Sequence, residues 1–232
     1  MILKADNISK TFFRSTGSAN YFYAVSPLSL EVPSESVTVL TGRSGSGKTT
    51  LLNMLAGILE PTEGKVLLDD TDLYSLKDDA LSSFRNERIG VVPQGRSAVD
   101  TLTVMENILL PAKLYGKNAP AEEVRQWMED FEIDHLAEAM PRELSGGELR
   151  RMAIIRAIVQ DPDMLFADEP TGDLDDENTE KVLAALYSFA HDRKKAVFIV
   201  THENDALKYA DRAFRMEKGR IDLQENQSGG SV

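Results

Sequence analysis

Apolar and polar positions along the chain alternate between two periods. Residues 2–8 and 28–32 read as strands, with Leu28, Leu30 and Val32 sharing one face of the second. Residues 37–40, 65–68, 89–92, 164–167 and 196–200 are short apolar runs that read as further strands, several of them buried on both faces. Between these runs the spacing turns helical. Leu51, Leu52, Met54 and Leu55 form one stripe, and Met152, Ile155, Ile158 and Val159 another. A helix is expected from Ser75, opened by a capping-box pattern with Asp78, to about Arg88, and another from about Glu177 to Ala190. Residues 213–216 and 221–223 flank a polar turn as a hairpin, and 224–232 reads as a loose, flexible tail.

The strand–helix alternation predicts an α/β fold with a mainly parallel sheet, preceded by an N-terminal antiparallel β subdomain. Residues 101–143 interrupt the alternation. Thr103 and Glu106 fit a capping box, and Pro120 stands near the first turn of a helix containing residues 122–131. This block is read as an α-helical subdomain, about 95–143, inserted into a single domain of residues 1–223.

Composition narrows the picture modestly. With 232 residues, 42% hydrophobic and 28% charged, the chain has the make-up of a globular domain with a sizeable core. The absence of cysteine removes disulfides, thiolate metal sites and a cysteine nucleophile. The residues after Met1 carry no signal-peptide pattern, and the apolar runs fall far below the ~18 residues of a membrane span, so a cytoplasmic protein is expected. The net charge of −12, with no long basic run, argues against nucleic acid as a partner.

Against that acidic background, residues 42–50 gather chemistry for an anion. Gly42, Arg43, Ser44, Gly45, Ser46, Gly47, Lys48, Thr49 and Thr50 follow a strand and open a helix, the context of a G-x-x-x-x-G-K-[ST] phosphate loop. Glycines let the backbone curl with several N–H groups pointing inward, and the helix N-terminus adds its unpaired donors and dipole. Lys48 is expected to reach the β- and γ-phosphates of a nucleotide, and the Thr49 hydroxyl to sit on Mg²⁺.

Four later positions fit the same chemistry. Asp168 ends a buried strand and suits the Mg²⁺ water shell; Glu169 follows it and is placed to orient a water as general base. His202 stands at the end of the next central strand, suited to a γ-phosphate contact. Gln94 closes the strand before the helical block. Ser145, Gly146, Gly147 and Glu148 read in two ways. Ser and Glu satisfy a capping box, whereas the two glycines suit close backbone approach to an anion. The aromatics Phe12, Phe13, Tyr21, Phe22 and Tyr23 either pack a hairpin or present a ring to a base, and position favours Phe12 for the base.

Taken in order, the phosphate loop, Gln94, Leu144 to Glu148, Asp168 with Glu169, Leu174 with Asp175, and His202 resemble the nucleotide-binding subunit of ATP-binding cassette (ABC) transporters, on a P-loop NTPase core. The resemblance covers about residues 1–223. The run from Asp168 through Pro170, Thr171 and Gly172 to Asp175 is further similar to the lipoprotein-releasing, macrolide-export and cell-division subgroup. Leu149 and Asp173 depart from the family's usual glutamine and the subgroup's usual asparagine, and 95–99 lacks the usual aromatic and leucine pair.

The resemblance implies an ATPase with ATP and Mg²⁺ as ligands, the metal held through Thr49, Gln94 and Asp168. It implies head-to-tail pairing with a second copy or a related ABC subunit, so that Ser145 to Glu148 of one copy face the nucleotide of the other and Asp175 signals across the dimer. It also implies an integral membrane permease as partner, which would hold the chain at the inner face of the cell membrane. The groove for that partner is expected near Gln94, with Val99, Leu102, Val104, Met105 and Leu109 either walling it or packing the subdomain. A non-transport ABC ATPase of repair or translation is the competing expectation, although neither a long insertion nor a second cassette is present.

Overall fold

A computed structural model of the protein describes residues 1–13, 21–116, 121–172 and 174–224. The polar turn expected at 14–20, Pro120, Asp173 and the tail beyond Gln224 lie outside the described residues. In chain order the elements begin with strands β1 (Ile2–Phe13), β2 (Tyr21–Pro33) and β3 (Ser36–Thr41), then helix α1 (Lys48–Leu55). Strands β4 (Glu63–Leu68) and β5 (Thr71–Asp72), helix α2 (Asp78–Arg88) and strand β6 (Ile89–Val92) follow. Helices α3 (Val104–Leu114), α4 (Ala121–Asp130) and α5 (Gly146–Ile158) lead to β7 (Met164–Asp168), α6 (Asp176–Asp192) and β8 (Ala196–Thr201). The hairpin of β9 (Arg212–Glu217) and β10 (Arg220–Gln224) ends the described chain.

The apolar runs assemble into a six-stranded sheet in the order β10-β9-β3-β8-β7-β6, parallel except for β10. Its central strands are buried throughout, and their period of two divides their side chains between two cores. Val37, Val39, Leu165, Ala167, Val197 and Ile199 face α3 to α6 in one core. Leu40, Met164, Phe166, Phe198 and Val200 face α1 and the second sheet in the other. That second sheet, β2-β1-β4-β5, is antiparallel.

The first two strands run past their expected ends, because the β1–β2 ladder continues through polar positions to the pairs Phe12–Phe22 and Phe13–Tyr21. The helix expected from Ser75 starts later, at Asp78. Ser75 instead closes a 3₁₀ turn, its hydroxyl donating to the Asp72 carbonyl at 2.8 Å, so the capping box expected there does not form. The box at Thr103 does: Thr103 Oγ1 accepts from the Glu106 N–H, and the Glu106 carboxylate accepts from the Thr103 N–H.

Candidate active site

Between β3 and α1 the chain turns around a concavity. Gly47 precedes α1 at φ 108 with no side-chain cap, and the first helical turn holds no acidic residue, so its N–H groups stay open to an anion. A side chain at Gly47 is sterically excluded, since a Cβ would stand 2.2 Å from the Ala24 carbonyl oxygen. Over this turn lies a cavity of about 790 Å³, nucleotide-sized, lined by residues 43–50. Phe12, Phe22 and Tyr23 form one wall; Gln94, Glu169, His202 and Lys218 complete it. Phe13 and Tyr21 do not line it and stack edge-on against each other, with centroids 5.4 Å apart.

Lys48 is buried, donates to the Gly42 carbonyl at 2.7 Å and stands 4.0 Å from Glu169 Oε1. Asp168, at the tip of β7, is 2% exposed, and its Oδ1 has no hydrogen-bond partner among the described residues. Burial raises its carboxyl above the usual range, opposed by a hydrogen bond with Thr49. No cluster of three or more His, Asp or Glu suited to a metal occurs among the described residues. An orphaned carboxylate oxygen beside a hydroxyl, next to a phosphate-sized concavity, nevertheless fits Mg²⁺, which takes few protein ligands and completes its shell with water and substrate phosphates.

Glu169 is 8% exposed and has a left-handed backbone, φ 50. This backbone is costly for a residue with a side chain, a cost the surrounding contacts must offset. Its Oε2 accepts from the Thr201 hydroxyl at 2.9 Å and the His202 N–H at 3.3 Å, and lies 3.0 Å from His202 Nδ1. The hydrogen bond and charge of Glu169 hold the His202 imidazole above its ordinary range. The ring is 62% exposed, so a protonated His202 keeps contact with Glu169 through one nitrogen and offers Nε2–H to the cavity.

Ser145, Gly146, Gly147, Glu148 and Asp175 do not line this cavity. Ser145 caps α5, its Oγ accepting from the Glu148 N–H, while Glu148 Oε2 accepts from the Ser145 N–H at 2.7 Å and hydroxyl at 2.8 Å. The Ser145 N–H and hydroxyl hold the Glu148 carboxyl below its usual range. Asp175 caps α6, accepting from the Asn178 N–H at 2.8 Å, and that bond likewise lowers its carboxyl. The capping reading of the Ser145 to Glu148 segment is therefore realised within one chain.

A family model described as ABC transporter matches residues 25–172. The chain belongs to the ABC transporter family. It is 34% identical over 222 residues to the lipoprotein-releasing system ATP-binding protein LolD of Syntrophotalea carbinolica, covering 95% of this chain and 96% of the relative. It is 36% identical over 222 residues to the uncharacterized ABC transporter ATP-binding protein YvcR of Bacillus subtilis, 95% of this chain and 85% of the relative. The dimeric post-hydrolysis structure of the ATP-binding cassette MJ0796 bound to ADP and Pi superposes with a TM-score of 0.87 at 31% identity, covering 96% of this chain and 99% of that one. The P-loop NTPase fold, ATP binding and ATP hydrolysis follow for this ABC ATPase, and the LolD match agrees with the subgroup resemblance.

Several residues of the ABC ATPase site escaped the sequence reading. Thr201 is fully buried and holds Glu169, and only its place before His202 hinted at this. Lys218 reaches the cavity from the β9–β10 turn, where Gly219 N–H donates to the Ser46 carbonyl at 2.9 Å. Asn107, fully buried in α3, holds the 99–103 loop through Val99, Leu102 and Thr103. The expected partner-groove residues divide. Val104 is in the core, Met105 and Leu109 pack against it, Leu102 is half-buried and Val99 is 37% exposed.

Proposed function

We propose that two copies of this chain close head to tail over two ATP molecules, in a cassette that powers a separate integral membrane permease of the lipoprotein-releasing, macrolide-export and cell-division type. The observation that carries this reading is the incompleteness of the single-chain cavity: it holds phosphate-binding and carboxylate groups, while the Ser145 to Glu148 segment faces elsewhere. A second copy, turned head to tail, supplies it. No helix among the described residues is long and apolar enough to cross a membrane, so the transport path would belong to a partner, at the membrane's inner face. The helical block, about 95–143, is the subdomain that would move with that partner. A role in repair or translation is not favoured by the transporter family match.

In this mechanism residues 42–50 and the α1 N-terminus bind the triphosphate, with Phe12 the ring beneath the base. Lys48 exchanges the Gly42 carbonyl for phosphate oxygens. Thr49 and Asp168, with Gln94, would hold Mg²⁺, whose charge neutralises the β- and γ-phosphates when bound. Glu169 orients the attacking water as general base, and His202 donates Nε2–H toward the γ-phosphate. Thr201 keeps the Glu169 carboxylate in place. Glu169→Gln is the test: turnover should fall by roughly 10²–10⁴-fold with ATP binding retained, and ATP should then hold a dimer visible by size-exclusion chromatography. Near-normal hydrolysis by this variant removes Glu169 from its role.

A further inference from the structure

The ring placed beneath the base is itself held by a cation. Lys10 Nζ stands 5.7 Å from the centroid of the Phe12 ring. The two residues are two apart on β1, so their side chains leave the same face of the strand. The ladder to β2 is irregular here: Lys10 pairs with Val25 and Thr11 with Tyr23, which leaves Ala24 over. An extra residue of this kind adds local twist and re-aims side chains, and Ala24 lines the nucleotide cavity.

Phe12 is 38% exposed and lines the same cavity, whereas Lys10 does not. The ammonium therefore meets the ring from outside the cavity and leaves the cavity side to a ligand. Phe22 flanks Phe12 at a tilt of 36°, with centroids 6.1 Å apart, and does not stack flat on it.

Lys10 is fixed in turn. Its ammonium donates to the Glu60 carbonyl at 2.6 Å, in the turn that follows α1. The same turn is zipped to β1: the Thr62 N–H donates to the Ser9 carbonyl at 2.8 Å, and the Thr11 N–H to Thr62 Oγ1 at 3.1 Å. Because α1 begins in the phosphate loop, a short path runs from that loop through α1 and Glu60 to Lys10 and the ring. Lys10 makes no ion pair among the described residues, so no carboxylate offsets its charge on the ring.

A cation over one face of a π-system draws electron density toward itself. The opposite face then repels a stacked purine less, since the facing π clouds are the unfavourable part of stacking. We propose that Lys10 is a positioning residue for the adenine: its ammonium polarises Phe12 from behind and, through Glu60, sets the ring's distance from the phosphate loop. The inference rests on the reading of Phe12 as the ring beneath the base and adds what fits that ring to the task. Lys10 acts on the base half of the nucleotide and not on its phosphates.

ADP, and pyrophosphate as a base-free probe, separate the two halves. Isothermal titration of the full-length chain gives the first affinity, and competition against ADP gives the second. Lys10→Met keeps the apolar stem and removes the charge. It should weaken ADP about two- to fivefold, the scale of an exposed cation–π contact, and leave pyrophosphate unchanged. Lys10→Arg, which keeps a cation over the ring, should recover most of the ADP affinity. Phe12→Leu should weaken ADP roughly tenfold, and adding Lys10→Met to it should cost nothing further. Parallel losses for ADP and pyrophosphate would mean that the charge acts on phosphates. An equal loss in the Phe12→Leu background would mean that Lys10 only supports the fold. Either result overturns the proposal, as does unchanged ADP affinity in Lys10→Met; Lys10→Gln serves the same comparison if Lys10→Met unfolds. The underlying reading fails separately: wild-type ADP affinity in Phe12→Leu removes Phe12 from the base and this inference with it. Weakened Phe12→Leu beside a normal Lys10→Met sinks this inference alone.

Discussion

Two glycine-bearing helix N-termini invite comparison. At α1, Gly47 supplies no capping side chain and no acid follows in the first turn. At α5, Ser145 caps the helix and Glu148 folds back on Ser145. The two ends share the dipole and the unpaired donors of any helix start. They differ in what satisfies those donors within one chain. The α1 end is left open for phosphate, and its glycine is forced by contact with the Ala24 carbonyl. The α5 end is closed by its own side chains and stands apart from the cavity. A single chain thus carries one helix start left open beside a cavity and one closed by its own side chains.

The largest effect that sharpens this contrast is expected from Ser145→Arg. Hydrolysis should be abolished while the affinity of the single chain for ADP changes by less than about twofold, because Ser145 lies outside its own chain's cavity. Lys48→Ala should instead weaken nucleotide binding itself, seen by equilibrium dialysis. Dimers mixed from the two variants combine both lesions in one composite site and spare the other, so part of the activity should return. Mixed dimers that stay inactive would break the head-to-tail reading.

A smaller effect tests the open end. Gly47→Ala should reduce nucleotide affinity and lower the thermal midpoint, since the left-handed backbone alone costs about 1–3 kcal/mol and the methyl group meets the Ala24 carbonyl. A variant with normal midpoint and affinity would show that the turn tolerates a side chain there.

The smallest effect concerns the closed end. Ser145→Ala should cost about 1 kcal/mol in urea unfolding, the usual worth of an N-cap. Glu148 adds a pH dependence. Its carboxyl is held below the unfolded value near 4.5, so the stabilisation is complete above that pH and is lost as pH falls through the lower folded value. Glu148→Gln should therefore flatten the acid limb of the thermal midpoint between about pH 5 and 3. An acid limb identical to the wild type would show that the carboxylate does not close the helix end.

The same division explains what could be read early. The phosphate loop was legible because its chemistry is local: glycines, lysine and hydroxyl occupy neighbouring positions between one strand and one helix. Asp168 and Glu169 were legible as a pair for the same reason. That Glu169 turns to a left-handed backbone and meets Thr201 and His202 was not, since β7 and β8 are neighbours only in the folded sheet. Ser75 misled because Ser-x-x-Asp resembles a capping box, and the preceding Asp72 drew it into a 3₁₀ turn instead. Arg150 and Arg156 gave no signal beyond ordinary helical positions, and their partners are carbonyls of a distant loop.

By itself the sequence determined the alternation of strands and helices and the strand–turn–helix frame of the phosphate loop, because these depend on periodicity and on groups within a few residues of one another; that Ser145 and Glu148 cap α5 was one of two readings until the structure showed it. Tertiary structure decided which ends of those elements meet. Parallel pairing of β3 with β8 and of β8 with β7 brings Lys48, Glu169 and His202 to one edge. Packing of α5 against the loop after β6 ties Pro93 and Ser97, on either side of Gln94, to Arg150 and Arg156. The physical reason is that a hydrogen bond across a long loop is fixed by the whole packed core, and no single segment of the chain encodes it.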